Sequence, residues 1–191
     1  NKTREIRNIL GSSFRLLSLN DLNIGEEIPE DGSTLESNAL HKARYIFKKF
    51  NRSVFADDTG LEIDILNGLP GVKSARFAGE NKNSDANIDK VLLLMGKSEN
   101  RNARFRTVIA LIFEGRESVF EGVVEGRIIN ERRGSDGFGY DPVFIPDGES
   151  RTFAEMTLEE KNRISHRARA FEKLRSFLDN INRTACMENV I

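Results

Sequence analysis

Residues 103–130, ARFRTVIALIFEGRESVFEGVVEGRIIN, contain the clearest secondary-structure pattern in the chain. Two stretches rich in β-branched and aromatic side chains, Ala103–Glu114 and Ser118–Asn130, are separated by a short turn at Gly115. Such stretches on either side of a glycine-containing turn predict a β-hairpin of two long strands. The hairpin is therefore the most strongly predicted part of the fold.

Shorter patterns around the hairpin predict further strands and helices. The predicted strands are Phe14–Leu19, Ser53–Asp58, Leu61–Leu66 and Val143–Ile145. The predicted helices lie near residues 6–10, from a capping box of Ser33 and Glu36 to about Phe50, from a cap at Ser84 to Met95, and after a capping box of Thr157 and Glu160. We interpret residues 1–191 as one α/β domain that lacks its first strand, with a frayed tail at residues 184–191.

The composition suits a protein with a core of its own. Hydrophobic residues make up 38% and charged residues 31% of the chain, and the formal net charge is −1. A balance near zero argues against bulk nucleic acid or a membrane as the main partner. The longest apolar run, Val108–Phe113, is far shorter than the ~18 residues that a membrane-spanning helix needs. With Cys186 as the single cysteine, we expect a reduced, cytoplasmic protein without an internal disulfide.

Charge is unevenly distributed along the chain. Residues 26–36 and 57–64 hold acids and no base, whereas residues 41–52 and 161–175 are strongly basic. Solvated helix faces would account for such blocks. Acidic and basic blocks in one small domain also suit a metal-bound polyphosphate, because carboxylates hold a hard cation and basic side chains hold phosphate oxygens. Composition alone leaves both interpretations open.

The first candidate site is residues 55–60, FADDTG, at the end of a predicted strand. Side chains alternate along a strand, so Ala56 and Asp58 share one face and Asp57 points to the other. Such a strand delivers one carboxylate to the sheet edge, where the sites of open α/β sheets lie. Burial or a neighbouring acid can make that carboxylate a better base, and a metal can ease the deprotonation of water. The alternative is a strand end that is simply solvated by its acids.

The second candidate site is the glycine-rich loop 134–142, GSDGFGYDP. Its glycines lack the spacing of the G-x-G-x-x-G and Walker motifs, which excludes those two nucleotide-binding loops. Its backbone can approach a ligand closely, its two rings can stack on a base, and an acid beside them can accept hydrogen bonds from base N–H groups. The alternative is a hairpin-like turn with Phe138 and Tyr140 in the core.

The third candidate site is residues 161–167, KNRISHR. Lys161 and His166 are separated by about 500° of helical rotation, so they share no face of an unbroken helix. A break near Ser165, which would then cap the final helix, would bring the basic residues together. A phosphate could bind at that helix N-terminus beside Arg167. Without the other two sites, a solvated basic face is the simpler interpretation.

These segments, in this order, resemble the inosine triphosphate pyrophosphatase family, the Ham1-like pyrophosphatases of non-standard purine nucleoside triphosphates. The resemblance covers nearly the whole chain, and four or more of its segments in order are highly specific. The segments are KTREI (2–6), EDG (30–32), TLESNALHKA (34–43), ADDTGL (56–61), LPGVKSARF (69–77), GFGYDP (137–142), TFAEM (152–156) and EKNRISHR (160–167).

The resemblance implies a fold, an activity and a set of site residues. The fold is α/β, with a long mixed β-sheet flanked by helices and two lobes with a cleft between them. The activity is Mg²⁺-dependent hydrolysis of ITP, dITP and XTP to the monophosphate and pyrophosphate, by a homodimer. Asp58 matches the catalytic acid, which also holds the metal, and Glu30 matches the other metal-binding acid. The implied substrate-binding residues are Asn1, Lys2, Thr59, Phe138, Gly139, Tyr140, Asp141, Lys161, His166 and Arg167.

The chain departs from the family pattern at two places. The family's N-terminal [ST]-x-N-x-x-K element is represented here by Lys2, with Asn1 as a second candidate for its asparagine. Ser37 stands where an acid often precedes the Asn-Ala of the helix motif, and Glu36 is the residue that could compensate.

Two other functions fit the same residues. A non-catalytic nucleotide or RNA sensor would use the basic final helix as a docking face, and its RNA binding would weaken steeply with salt. A less specific nucleotide phosphatase would differ in its products. We expect a purine nucleoside triphosphate substrate, with no stable nucleic-acid partner and no membrane.

Overall fold

The computed structural model of the protein describes residues 6, 16–19, 21, 25 and 28–188, with side chains up to residue 181. In chain order the elements are α1 (Leu35–Phe50), β1 (Val54–Ile63), α2 (Ser84–Met95), β2 (Asn102–Phe113), β3 (Arg116–Ile128), β4 (Phe144–Pro146), α3 (Leu158–Ile164) and α4 (His166–Glu188). Short 3₁₀ helices cover Asp64–Leu66, Gly71–Arg76, Asp141–Val143 and Phe153–Glu155.

The four strands form one sheet in the order β1–β2–β3–β4. β2 and β3 are the two strands of the predicted hairpin, and they pair from Phe113 and Arg116 at the turn to Asn102 and Arg127. The hairpin and the α/β class are therefore confirmed. Every strand pairing within the described residues is antiparallel, whereas the resemblance implies a mixed sheet.

A helix covers each face of the sheet. Val108 and Ala110 of β2 lie in one core cluster with α1, and the intervening Ile109 and Leu111 lie in another with α4. A third cluster, around Phe105, packs α2 and the 3₁₀ segments against the other end of the sheet. The first two clusters lie on the two faces at one end of the sheet, and the third lies at the other end. The core therefore has two regions along the strands, as two lobes require, and β1 runs from one region to the other.

The N-terminus of α4 lies directly against β3. The Ser165 backbone between α3 and α4 is extended, with φ −67° and ψ 153°, and its Oγ accepts a hydrogen bond from Ala168 N at 3.1 Å. The predicted helix break and cap are confirmed. Gly122 of β3 permits the close approach, because a Cβ there would overlap the His166 carbonyl oxygen and lie 2.5 Å from Ala170 N.

The cap of α1 differs from the sequence prediction. Thr34, not Ser33, is the N-cap: its Oγ1 accepts a hydrogen bond from Ser37 N at 3.0 Å, and Ser37 Oγ accepts one from Thr34 N at 3.2 Å. The prediction of Ser33 with Glu36 was wrong because a serine hydroxyl at the third helical position can close the capping box as a glutamate does.

The other predicted caps have mixed outcomes. Asn83, not Ser84, caps α2, since Asn83 Oδ1 accepts a hydrogen bond from Ala86 N at 3.0 Å. Both residue types are good caps, and the sequence offers them side by side. The capping box of Thr157 and Glu160 at the start of α3 is confirmed.

β1 is one continuous strand where the sequence predicts two. Thr59 and Gly60 pair with β2 and continue the ladder between the two predicted segments, so they do not form a break. Residues 64–66 leave the strand as a 3₁₀ turn. The error arose because a threonine–glycine pair is typical of a turn, whereas here a long partner strand holds it in register.

Two further predictions need correction. Of the predicted strand Phe14–Leu19, residues 16–19 are described and form no strand, and Ser18 N instead donates to Asp21 Oδ2 at 2.8 Å. β4 begins at Phe144 rather than at Val143. α4 extends to Glu188. No helix among the described residues is long and apolar enough to cross a membrane.

The contact between β3 and α4 predicts a sensitive position. We expect Gly122→Ala to lower the free energy of unfolding by about 1–3 kcal/mol, because the added methyl group must push the α4 backbone away. Urea denaturation measures the change. Val119→Ala, at an exposed site on the same strand, is the control and should cost less than about 1 kcal/mol. Equal unfolding midpoints for Gly122→Ala and the wild type would contradict the close contact.

Candidate active site

The carboxylate of Asp58 points from β1 towards α1. Asn38 Nδ2 donates to Asp58 Oδ2 at 3.0 Å, and Lys42 Nζ donates to Asp58 Oδ1 at 3.1 Å. The two donors lie one turn apart on α1, so they reach the same strand position. Ala56 also packs against α1, which confirms the predicted face shared by Ala56 and Asp58.

Glu30 reaches the same ammonium group from the loop before α1. Its Oε1 lies 2.7 Å from Lys42 Nζ, and its Oε2 lies 3.8 Å from the Arg76 guanidinium. Arg76 also donates to the Glu30 carbonyl oxygen at 2.9 Å. Glu30 and Asp58, which only the resemblance had linked, therefore converge on one cationic group.

The sequence reasoning missed three residues of this cluster. Asn38 and Lys42 lie in the helix motif at 34–43 and Arg76 lies in the motif at 69–77, but none of them was assigned to the site. The available signal was their membership of those motifs. Their contacts with the two acids depend on the packing of α1 and the segment 71–76 against β1, which those motifs do not specify.

Burial and charge act against each other in this cluster. Burial raises the pKa of Asp58 above its usual value, and Lys42 and Asn38 only partly oppose that rise. Burial also acts to lower the pKa of Lys42, but the two carboxylates outweigh it and raise the pKa overall. The lysine therefore stays charged, and Asp58 is a stronger base than a solvent-exposed aspartate.

Asp57 lies on the opposite face of β1 and pairs with α4. Its Oδ2 is 4.0 Å from Arg167 Nε, and both side chains are buried. The neighbouring acids 57 and 58 thus serve different helices, as the strand alternation predicts. The pair also ties the N-terminus of α4 to the middle of β1.

The glycine-rich loop and the basic segment meet in a second cluster. Lys161 Nζ donates to Asp141 Oδ2 at 2.6 Å, with side-chain exposures of only 4% and 3%. The Phe138 ring is 46% exposed and lies 4.9 Å from Lys161 Nζ and 5.4 Å from Arg167 Cζ. An exposed ring above two cations offers one face to a ligand.

The turn that presents Phe138 depends on Asp141 and Gly137. Phe138 N donates to Asp141 Oδ2 at 2.8 Å. Gly137 has φ +80°, and a Cβ there would overlap the Asp141 carboxylate. Gly139 also has a positive φ of +63°, with open space around it. The Asp141 carboxylate therefore fixes both the loop and Lys161.

Tyr140 takes the alternative that buries a ring in the core. Its hydroxyl donates to the Ser74 carbonyl oxygen at 2.9 Å, and burial raises its pKa far above the usual value. The two rings of the loop therefore have different environments, Phe138 at the surface and Tyr140 inside.

His166 is buried, and Thr59 is half-buried beside β2. His166 is buried and stacks on Phe105, with ring centroids 4.6 Å apart, and its Nδ1 has no hydrogen-bond partner among the described residues. Burial, and then the charges of Arg167 and Lys161, lower its pKa well below the usual value. Thr59 Oγ1 and Thr107 Oγ1 form a hydrogen bond of 2.7 Å.

The remaining predicted residues, Asn1 and Lys2, lie outside the described part of the chain. Within that part, no group of three or more His, Cys, Asp and Glu side chains could hold a metal. The pair of Glu30 and Asp58, whose oxygens converge on the Lys42 ammonium, is the candidate metal-binding set. Two carboxylates suit Mg²⁺, which keeps several waters and takes further oxygens from substrate phosphates.

A cavity of about 710 Å³ lies elsewhere, between β3 and α4. Its walls include Phe120 and Lys173, and it contains none of the predicted site residues. The clustered acids and bases favour Asp58 and the glycine-rich loop, rather than this cavity, as the candidate site.

The family model of the Ham1 family matches residues 1–177. The chain belongs to the Ham1 family. The dITP/XTP pyrophosphatase of Porphyromonas gingivalis is 52% identical over 178 residues, which cover 93% of this chain and 92% of that protein. The dITP/XTP pyrophosphatase of Bacillus subtilis is 49% identical over 182 residues, with 93% and 92% covered.

Solved structures agree with the family assignment. The Ham1 protein of Staphylococcus aureus matches with a TM-score of 0.87 at 39% identity, covering 94% of this chain and 93% of that one. The HAM1 protein of Coxiella burnetii matches with the same TM-score at 38% identity and the same coverage. The predicted family and fold class are confirmed.

The buried His166 predicts a pH dependence of stability. An unfolded histidine binds a proton below about pH 6.5, whereas the folded protein keeps the imidazole neutral to lower pH. As pH falls below that value, the unfolded state gains protons and the free energy of unfolding drops by up to about 1.4 kcal/mol per pH unit. The variant His166→Phe keeps a ring against Phe105 and should lose this part of the pH dependence of the free energy of unfolding.

Urea denaturation of both proteins at pH 7.5, 6.5 and 5.5 measures the component. The stability of the wild type relative to His166→Phe should be constant at high pH and fall towards pH 5.5. A difference that stays the same at all three values would contradict a buried, neutral His166.

Proposed function

We propose that the protein hydrolyses non-standard purine nucleoside triphosphates, of the dITP and XTP type, to the monophosphate and pyrophosphate. Relatives named dITP/XTP pyrophosphatase are about half identical to it over more than nine tenths of both chains. The observation that carries the proposal is the convergence of Glu30 Oε1 and Asp58 Oδ1 on one cationic group. Such a pair is what a metal-assisted reaction at a polyphosphate requires.

We further propose that Glu30 and Asp58 hold Mg²⁺. Their oxygens already share one cationic group, the Lys42 ammonium. Hard carboxylate oxygens are the ligands that Mg²⁺ prefers. When bound, the metal supplies positive charge against the phosphate oxygens. The remaining ligand positions suit water and the triphosphate.

Asp58 is the residue suited to activate water. Burial raises its pKa, so its carboxylate accepts a proton more readily than an exposed aspartate does. A water hydrogen-bonded to Asp58 would attack the α-phosphorus, and the bond to the bridging oxygen of pyrophosphate would break. Lys42 and Arg76 lie beside the two acids and can offset negative charge on the leaving group.

The second cluster is suited to the purine. A base that binds beside Phe138 would lie near Lys161, which has three N–H donors and uses one for Asp141. A donor aimed at the 6-position favours a 6-oxo group. Adenine carries an amino group there and would leave the buried donor unpaired, which greatly lowers kcat/KM for an adenine nucleotide.

The product and substrate assay tests the proposal. With Mg²⁺, the protein should release pyrophosphate from ITP, dITP and XTP and turn over ATP at least about 100-fold less efficiently. Pyrophosphate and orthophosphate are measured separately for each nucleotide. Equal turnover of all nucleotides, or release of single phosphates, would favour the less specific phosphatase. RNA binding with a steep salt dependence and no turnover would favour the sensor.

The role of Asp58 has a test of its own. We expect Asp58→Asn to reduce pyrophosphate release by about 100-fold or more while circular dichroism stays unchanged, because a neutral amide is not a base and is a weaker ligand for a hard cation than a carboxylate. Asp64→Asn removes an acid from an exposed position just beyond β1 and should retain activity. Substantial turnover by Asp58→Asn would refute the assigned role.

A further inference from the structure

Lys42 occupies the position that the proposed metal needs. Its ammonium lies 2.7 Å from Glu30 Oε1 and 3.1 Å from Asp58 Oδ1, and its side chain is only 15% exposed. The distance to Glu30 is that of a strong, charge-assisted hydrogen bond, and the distance to Asp58 is within the ordinary hydrogen-bond range. The two carboxylates therefore already have a cation, which the chain itself supplies.

The other oxygens of the two acids are held independently of Lys42. Asn38 Nδ2 binds Asp58 Oδ2 at 3.0 Å, and the Arg76 guanidinium lies 3.8 Å from Glu30 Oε2 and binds the Glu30 carbonyl oxygen. Departure of the ammonium would leave one oxygen of each acid without its cation and both carboxylates still in place. Those two oxygens, Oε1 and Oδ1, are the ones that now face the same point.

A divalent cation and the ammonium cannot share this point. Mg²⁺ binds oxygens at about 2.1 Å, and a second cation within hydrogen-bonding distance of the same oxygens would be strongly repelled. A lysine side chain has four rotatable bonds and can move its charge several ångströms without moving the helix. A phosphate oxygen nearby would be a new partner for the displaced ammonium.

We propose that Lys42 is an internal competitor of the metal: it holds Glu30 and Asp58 together in the nucleotide-free protein and yields them when metal and nucleotide arrive together. The inference rests on the proposed metal at these two acids. It makes metal binding weak alone and stronger with the triphosphate, because the nucleotide offers the displaced ammonium a partner. Metal and nucleotide thus raise each other's affinity.

Binding of Mn²⁺ to the nucleotide-free protein tests the proposal without using activity. Mn²⁺ prefers the same oxygen ligands as Mg²⁺, and calorimetry or the paramagnetic signal of the free ion gives its dissociation constant. Lys42→Met should bind Mn²⁺ at least about tenfold more tightly than the wild type, because the competing charge is gone. Lys48→Met, which removes an exposed lysine from the same helix, should change the affinity by less than about twofold.

Two further variants locate the effect. Lys42→Gln keeps a polar side chain without the charge and should show the same gain, which guards against a packing defect in Lys42→Met. Asp58→Asn added to Lys42→Met should abolish the gain, because one of the two freed carboxylates is lost. In all Lys42 variants pyrophosphate release should fall although the metal binds more tightly, a combination that simple misfolding does not produce.

Unchanged or weaker Mn²⁺ binding by both Lys42→Met and Lys42→Gln would overturn the proposal. A gain that persists in the double variant with Asp58→Asn would also overturn it, since the ion would then lie elsewhere. The proposed hydrolysis is tested separately. If the wild type releases no pyrophosphate but Lys42→Met still binds Mn²⁺ more tightly, the proposed activity is refuted and the proposed competition between Lys42 and the metal stands.

Discussion

The alternation of side chains along β1 is the constraint on which the rest of the site depends. Because successive residues of a strand point to opposite faces, Asp57 and Asp58 cannot serve the same neighbour. Asp58 meets Lys42 of α1, and Asp57 meets Arg167 of α4. A different helix therefore supplies a cation on each face of the sheet. Each cation pairs with one of the two adjacent acids.

The position of these acids along β1 matters as much as their faces. β1 runs from the core region shared with α1 and α4 to the region around Phe105, and both acids lie where it crosses. On one face, Glu30 and Asp58 form a pair that suits a metal and phosphates. Beyond Arg167 lies the cluster of Phe138 and Lys161, which suits a base.

Much of this arrangement could be predicted from the sequence, since it depends on local patterns. The hairpin follows from two long strand-forming runs. The helix break at Ser165 follows because Lys161 and His166 cannot share a face of an unbroken helix. The opposite orientations of Asp57 and Asp58 follow from the two-residue period of a strand. The predictions that failed, such as two strands in place of β1, depend on partners distant in sequence. The ladder with β2 holds Thr59 and Gly60 extended against their local preference.

The roles of Lys42 and Tyr140 could not be predicted for a related reason. A lysine in a helix motif is ordinarily solvated, and only the packing of α1 against β1 brings Lys42 to two acids. Tyr140 and Phe138 are two residues apart in one loop, yet only tertiary packing gives one ring a buried carbonyl partner and leaves the other exposed.

The central claim, that strand alternation assigns Asp57 to the fold and Asp58 to the chemistry, is tested most directly by one comparison of stability. Urea denaturation at pH 7 gives the free energies of unfolding of Asp57→Asn and Asp58→Asn. Asp57→Asn should lose about 3 kcal/mol, because a buried guanidinium loses its carboxylate, and Asp58→Asn should lose less than about 1 kcal/mol, because burial already opposes the Asp58 charge. A larger loss for Asp58→Asn than for Asp57→Asn would contradict the claim.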